Sequence, residues 1–509
     1  MKKNELKISH GELWYTYSTY ITSFPSSLES FGKLLVAKGL ISNVFSSDGY
    51  IYYYENNKFM QVKPEYKLKA DRTQASFSLT EFPKDSFSKE CIYESFLYRY
   101  HQQQLLSLNE SNYIDVSYIR FSLGEIVLQD GKTRFHLYPF MTIYLSKAVI
   151  VEYRCIIDYD VSIKDFIENY ISLPSLELNE CFATENIIEL FDEEFCFGKR
   201  NEIFDDQKDF SFPLTKFYLE NDSLTLNYIS NCVCDGLFRK INCFLNKDAF
   251  PMGARWFERT DIHILKLNKD FKSTKDFMVQ NPNVVEDLLY LNNTSEFKFE
   301  NRNKSVNLRQ FDDYLYYFLS HRSVSIHVTK TDSEYNVYLN NLFSTQVINQ
   351  YISFYNILFE IAFQNILATN NYSDLLQFQE DILLLERDMA CVSHYGEIND
   401  VMRFAINELE IGKKKELVKN LLDSKKSIVE NKQNVLNSKI SFVLTIIFGL
   451  ISSSAISQDL IIPIWNISKL PKPNADITNL ISYLFSLLIV LGCLIPLFRW
   501  VSKLKKLNH

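Results

Sequence analysis

A few groups of residues have the type and spacing to do chemistry. In GARWFERTDIHI (253–264), Arg255 and Arg259 carry guanidinium forks suited to phosphate, and Trp256 carries a ring suited to stacking on a base. The same run also reads as a half-buried strand with flanking charges. The Asp261/His263 pair and the acids of ELFDEEF (189–195) are the only leads for acid–base catalysis. Both look like sheet or surface residues, so no enzyme is expected. Cys232, Cys234 and Cys243 form the closest thiol cluster, with no histidine nearby. A metal there would need further ligands, so neither a metal nor a cofactor is expected. The chain has no phosphate-cradling P-loop, no G-x-G-x-x-G and no H-E-x-x-H.

The most regular pattern is polar and lies near the C-terminus. Ser424 and Ser427 are followed, seven residues on, by Asn431 and Asn434, then Ser438 and Ser441, then Thr445 and Phe448, then Ser452 and Ala455. A heptad repeat keeps one helix face toward a common axis. In a two-stranded coil that face is dry and must be apolar. In a wider ring of identical helices the axis can hold water, and the inner face can be polar. Asn431, Asn434, Ser438, Ser441, Thr445 and Ser452 are therefore candidate pore-lining residues. Leu421, Ile428, Val435 and Phe442 form a flank for packing against neighbours, and Val443, Ile447 and Leu450 are left for a second helix or lipid. Two other readings stay open: small polar residues also mediate dry packing between membrane helices, and the cytosolic part of the stripe could be a solvated face.

The elements that must carry these residues follow from hydropathy and periodicity. Residues 440–458 and 477–498 are uncharged, and each is long enough to span a hydrocarbon core of roughly 30 Å. Lys419, Lys425, Lys426, Lys432 and Lys439 precede the first stretch; Arg499, Lys503, Lys505 and Lys506 follow the second. The intervening loop has only Lys469 and Lys472, set against Asp459 and Asp476. The basic bias places both termini in the cytoplasm and makes the protein a multi-pass protein of the cell (inner) membrane. The lipid bilayer is thus an expected partner. The N-terminal MKKNELKISHGELW has no signal-peptide core.

Composition agrees with a large cytosolic part. The 509-residue chain is 46% hydrophobic and 15% aromatic, so it can build a sizeable core. Its net charge of -8 argues against direct nucleic-acid binding. Nine cysteines without framework spacing suit reduced thiols.

Three regions are expected. Residues 1–345 read as a mixed α/β sensor domain, 346–439 as a helical stalk, and 440–509 as a transmembrane hairpin with a basic tail. In the first, RFHLYPFMTIYLSKAVIVEYRCII predicts a hairpin turning at Ser146-Lys147. SVSIHVTK and YNVYLNNLF repeat that pattern at 323–343, while SIKDFIENYI and NVVEDLLYL have helical spacing. From 374 to 411 one helix is expected, capped by Ser373 and Asp374 and broken at Gly412. The run 413–457 contains no proline, and as one helix would be roughly 68 Å long.

This order of parts, and the segment LLDSKKSIVENKQNVLNSKISFVLTIIFGLIS (421–452), resemble the CorA family of pentameric channels. The likeness is specific over roughly the last hundred residues. It implies an α+β cytosolic domain, a long helical stalk, a two-helix C-terminal hairpin and an oligomeric funnel. Magnesium-transporting members end the first span with Gly-Met-Asn. This chain has SSSAISQDLIIPIWN there, which puts magnesium selectivity in doubt. The lost tripeptide and enlarged cytosolic domain resemble the CorA-like membrane effectors that accompany type III CRISPR systems. That branch implies a homopentameric pore of antiviral defence, gated by a small nucleotide second messenger. The alternative is a CorA-type divalent-cation (magnesium) transporter.

Overall fold

The computed structural model describes residues 5–21, 27–55, 58–63, 66–68, 75–77, 86–106, 116–131, 133–178, 180–198, 213–220, 223–245, 256–291, 306–309, 314–328, 335–390, 392–468 and 474–507. It comprises an α+β N-terminal domain built on a large sheet, then long helices, then two apolar C-terminal helices. The chain divides into two compact units: Met1–Ala368 with Leu376–Leu421, and Thr369–Leu375 with Leu422–His509.

In the first unit the sheet centres on β1 (Lys7–Tyr20), β2 (Tyr118–Ser122), β3 (Ile126–Asp130), β4 (Thr133–Tyr144), β5 (Ala148–Ile157), β6 (Trp256–Leu267), β7 (Tyr314–Leu319) and β8 (Arg322–His327). Its central order is β4-β5-β1-β6-β8-β7. All these neighbours are antiparallel except β6 and β8, which run parallel. The β4–β5 hairpin turns where expected, with Lys147 in the left-handed region at φ 76°. The partner of β8 differs from expectation. It is the preceding β7, reached through Ser320-His321, while YNVYLNNLF opens a long helix.

Successive residues of a strand point to opposite faces, and here the two faces differ in kind. One is apolar: Leu13, Met141, Val151, Ile262, Val324 and Leu315 represent six strands in one continuous core. Helix Leu226–Leu245 covers that core with Leu226, Ile229, Val233 and Leu237. A Cβ on Gly236 would stand 1.8 Å from the Leu190 carbonyl oxygen, so only glycine lets this helix approach so closely. The other face is polar, although it is equally buried.

Labelling the helices needed below, α1 is Ser86–Leu105, α2 is Leu226–Leu245, and α3 is Tyr335–Ala368. The 34 residues of α3 include no glycine or proline, so nothing interrupts the helix. It ends at Thr369-Asn370-Asn371, where Asn371 Oδ1 accepts from the Ser373 amide and Asn371 Nδ2 donates to Asp374. Then come α4 (Tyr372–Ala390), α5 (Gly396–Glu408) and α6 (Ile411–Ile456). The single helix expected over 374–411 is thus two. The Asn399 side chain closes the break, its Oδ1 accepting from the Ser393 amide and its Nδ2 donating to the Ser393 carbonyl. The next break falls at Glu410, whose φ is 52°, and Gly412 lies inside α6.

In the second unit α6 passes into a π-turn at Ser457–Ile461 and a last helical stretch at Ile462–Ile467. Pro463 explains the wide turn: it lacks an amide hydrogen, and its ring would meet the carbonyl four residues back. The helix therefore continues past the expected end of the first span, and the connection shortens to about 468–474. The final helix, α7, is Ala475–Leu507.

Candidate functional site

The polar face of the sheet lies under α3. Glu12 and Trp14 come from β1, Arg120 from β2, Thr142 and Tyr144 from β4, Glu152 and Arg154 from β5. Arg259, Asp261 and His263 come from β6, Tyr314 and Tyr316 from β7, and Ser323, Ser325 and His327 from β8. All are buried. The underside of α3 answers with Thr345, Gln346, Asn349, Gln350 and Ser353, a helical face of amides and hydroxyls.

Three buried ion pairs organise this layer. Arg120 Nη1 donates to Glu152 Oε2 at 2.9 Å and to Thr142 at 2.8 Å, and its guanidinium lies against the Tyr98 and Phe140 rings. Arg154 grips Glu12 with two donors, each at 2.7 Å, and also pairs with Glu94 from α1. Burial alone would raise the Glu12 carboxyl; the Arg154 guanidinium reverses this and holds it below the usual carboxylate range. Arg259 Nε stands 2.9 Å from Asp261 Oδ1. Its Nη2 donates to the Asn349 carbonyl and, at 3.2 Å, to Ser353 Oγ.

His263 joins the sheet to the helix, with Nδ1 2.8 Å from Ser325 Oγ and Nε2 3.1 Å from Gln346 Oε1. Burial pushes its pKa down, and Asp261 and Gln346 oppose this only in part. His327 is pushed down to about 3, chiefly by burial. Both are therefore neutral at physiological pH. Glu12, Glu152 and Asp261 each face an arginine, so the acids of this layer are paired within it.

The expected site residues fall in different places. Arg259 is fully buried in this layer. Trp256 opens β6, while Arg255 lies outside the described residues. Asp261 and His263 share the polar face of β6, as a strand spacing of two requires. The acids at 189–195 pair with α2: Glu189 with Lys240 and Asp192 with Arg239. Cys232 and Cys234 lie on α2, and no metal-competent cluster occurs among the described residues.

The six candidate pore residues all lie on α6. Asn431, Asn434, Ser441, Thr445 and Ser452 are exposed in the single chain, and Ser438 is half-buried. Thr445 Oγ1 donates to the Ser441 carbonyl at 2.7 Å. Within this unit α6 meets α7 through other residues: Ser453, Ser457, Ser482 and Ser486 are buried, and Ser486 Oγ donates to the Ser453 carbonyl at 2.5 Å. Two small-xxx-small motifs thus mate, which lets the backbones approach closely. At 100° per residue their face on α6 is roughly 100° from the centre of the polar stripe. Val443 and Ile447, reserved for a second helix or lipid, are exposed. The expected flank residues Ile428 and Val435 are exposed too, and the buried seam is Ile411, Val418, Leu422 and Val429.

At its N-terminal end α6 is clasped twice. Glu386 of α4 lies 3.1 Å from Lys415 and 2.7 Å from Lys419, one turn apart on α6. Lys414 bonds Asn356 of α3.

The buried layer was not foreseen from sequence. The signal was alternation within strands, as in Ser323-Val324-Ser325-Ile326-His327, which reads equally as a solvated face. Comparison with family models, curated proteins and solved structures gives no match.

Proposed function

We propose that the chain is a CorA-like, homo-oligomeric membrane pore, a pentamer by family resemblance, whose cytosolic domain gates it on binding a small nucleotide second messenger, as a membrane effector of type III CRISPR antiviral defence. The observation that carries this is the polar stripe Asn431–Ser452. The hairpin uses a different face of α6 for α7, and Asn431, Asn434, Ser441, Thr445 and Ser452 stay exposed in the single chain. Helices α6 and α7 are each apolar and long enough to cross a membrane. Polar side chains in such helices tend to face a bundle interior or a water-filled cavity. In this reading both termini are cytoplasmic and the bilayer is that of the cell's inner membrane. Arg255 and Trp256 remain ligand candidates, while buried Arg259 would act through α3.

The test is twofold. Mass in mild detergent should report a ring, and cells carrying a type III CRISPR system should stop growing or leak dye only when target RNA is present. A monomer or simple dimer at all concentrations overturns the pore. Growth rescue of cells lacking their own magnesium transporters would favour the divalent-cation transporter instead.

A further inference from the structure

The contacts between α3 and the sheet repeat at one-turn intervals. Tyr314 bonds Thr345 and Tyr316 bonds Asn349, each at 2.7 Å. Two residues along a strand advance about 6.8 Å and four along a helix about 6.0 Å, so β7 and α3 step together. The next helix step, Ser353, meets Arg259, whose guanidinium lies over Phe318, the next strand step. A second row behaves alike. Gln346 donates to Glu152 Oε1 at 2.6 Å, and Gln350 donates to Glu152 Oε2 at 3.1 Å and to Thr142 at 3.1 Å.

We propose that α3 is a ratchet with two registers on the sheet, one helical turn or about 5.4 Å apart. When α3 slides toward its C-terminal end, each residue takes the place of the one four positions later. Thr345 then meets Tyr316, Asn349 meets Arg259, and Gln346 meets Thr142 and Glu152. Each place is refilled by a side chain that can make the same kind of hydrogen bond. Two places are exceptions: at α6 Ile352 would replace Asn356 and release Lys414, and on the sheet Gln346 would leave its place. Leu342 would occupy it, leaving His263 Nε2 and one Glu152 oxygen unpaired. Phe343 would also replace Val347, Val347 would replace Tyr351, and Gln350 would move into the buried place of Phe354 against Tyr144. These costs make the present register the resting one.

Such motion has a route to α6. Three residues separate α3 from α4, and α4 grips α6 through Glu386. Asn356 of α3 also holds Lys414 of α6. That the ratchet serves gating rests on the pore reading; the two registers do not.

The test measures distances by double electron–electron resonance in the full-length protein in detergent. One nitroxide is placed at exposed Asn365 near the end of α3. The other is placed in turn at exposed Tyr54, Tyr159 or Val279. The background is Cys243→Ser, single-label controls are included, and labelled protein is diluted in excess unlabelled protein. Two variants favour the second register by different means. Leu342→Gln supplies the missing amide, and His263→Leu removes the partner that would be stranded. Each should enrich a second distance displaced by up to about 5.4 Å from at least one reference site. One unchanged distance in wild type and both variants overturns the ratchet. Broadening at all three sites without a resolved second distance also overturns it, because that reports loosening. No ion flux is read, so failure of the pore reading shows only in the leakage and mass experiments.

Discussion

Gln346 Nε2 stands 2.6 Å from Glu152 Oε1, so a helix amide is bonded to a carboxylate that already holds Arg120 on its other oxygen. This contact joins α3 to the sheet by directional bonds. On the opposite face the helices are held by apolar packing. A buried charge pair gains little over apolar residues of the same shape, but breaking one partner is costly.

Arg120→Met should therefore lower stability by about 3–5 kcal/mol, because Glu152 is left buried with only the Gln346 and Gln350 amides as partners. Arg120→Met combined with Glu152→Leu should recover part of that loss. Thermal midpoints of the three variants in detergent decide it. A double variant less stable than the single would show that the pair contributes net stability.

Acid should weaken the domain in two windows. His327, pushed down to about 3, stays neutral when folded but takes a proton when unfolded below its ordinary value of 6.5. The unfolded state then binds more protons, so stability falls as pH drops from about 6.5 toward 3, by up to about 1.4 kcal/mol per pH unit. His263 acts in the same direction. Glu12, held below its ordinary 4.5, adds stability that is lost only as pH falls below that value. His327→Phe should flatten the slope of the thermal midpoint between pH 6.5 and 5, and an unchanged slope would refute the assignment.

Neighbouring serines on α6 should behave differently. Ser453→Leu places a large side chain where Ser486 meets the backbone, and should cost about 1–3 kcal/mol through overpacking. Ser452→Leu is exposed in the single chain and should leave hairpin stability unchanged while altering leakage. Proteolysis of the detergent-solubilised protein and dye release separate the two effects.

Thr445→Leu should dry the proposed channel and favour closure. Thr445→Lys would set an ammonium from every subunit at one level of the axis, at a cost of roughly 2.5–3.5 kcal/mol each on insertion scales. It should therefore force an open state or prevent assembly. Val443 lies about 160° away around α6 and serves as the control. Target-dependent leakage at matched membrane levels is the readout. A silent Thr445→Leu beside an inactive Val443→Leu would mean that the helix is rotated from this assignment.

The linear order of amino acids by itself determined the β4–β5 hairpin, the long α6 and the apolar C-terminal helices. Each depends on short-range periodicity: alternation about Ser146-Lys147, a run without proline, and uncharged stretches. Local patterns misled where a competing interaction was not local. YNVYLNNLF has strand-like residues but opens α3, while β8 pairs with β7 instead. The break expected at Gly412 moved to Glu410, whose left-handed backbone Lys413 accompanies with an ion pair across the turn. Only the tertiary structure decided that Glu12, Arg120, Glu152, Asp261 and His263 lie inside. In a strand, a polar residue at every second position is the same string whether that face meets water or a helix. What distinguishes the two is a matching row of amides about 200 residues away, and Gln346 and Gln350 become that row only when α3 is laid on the sheet.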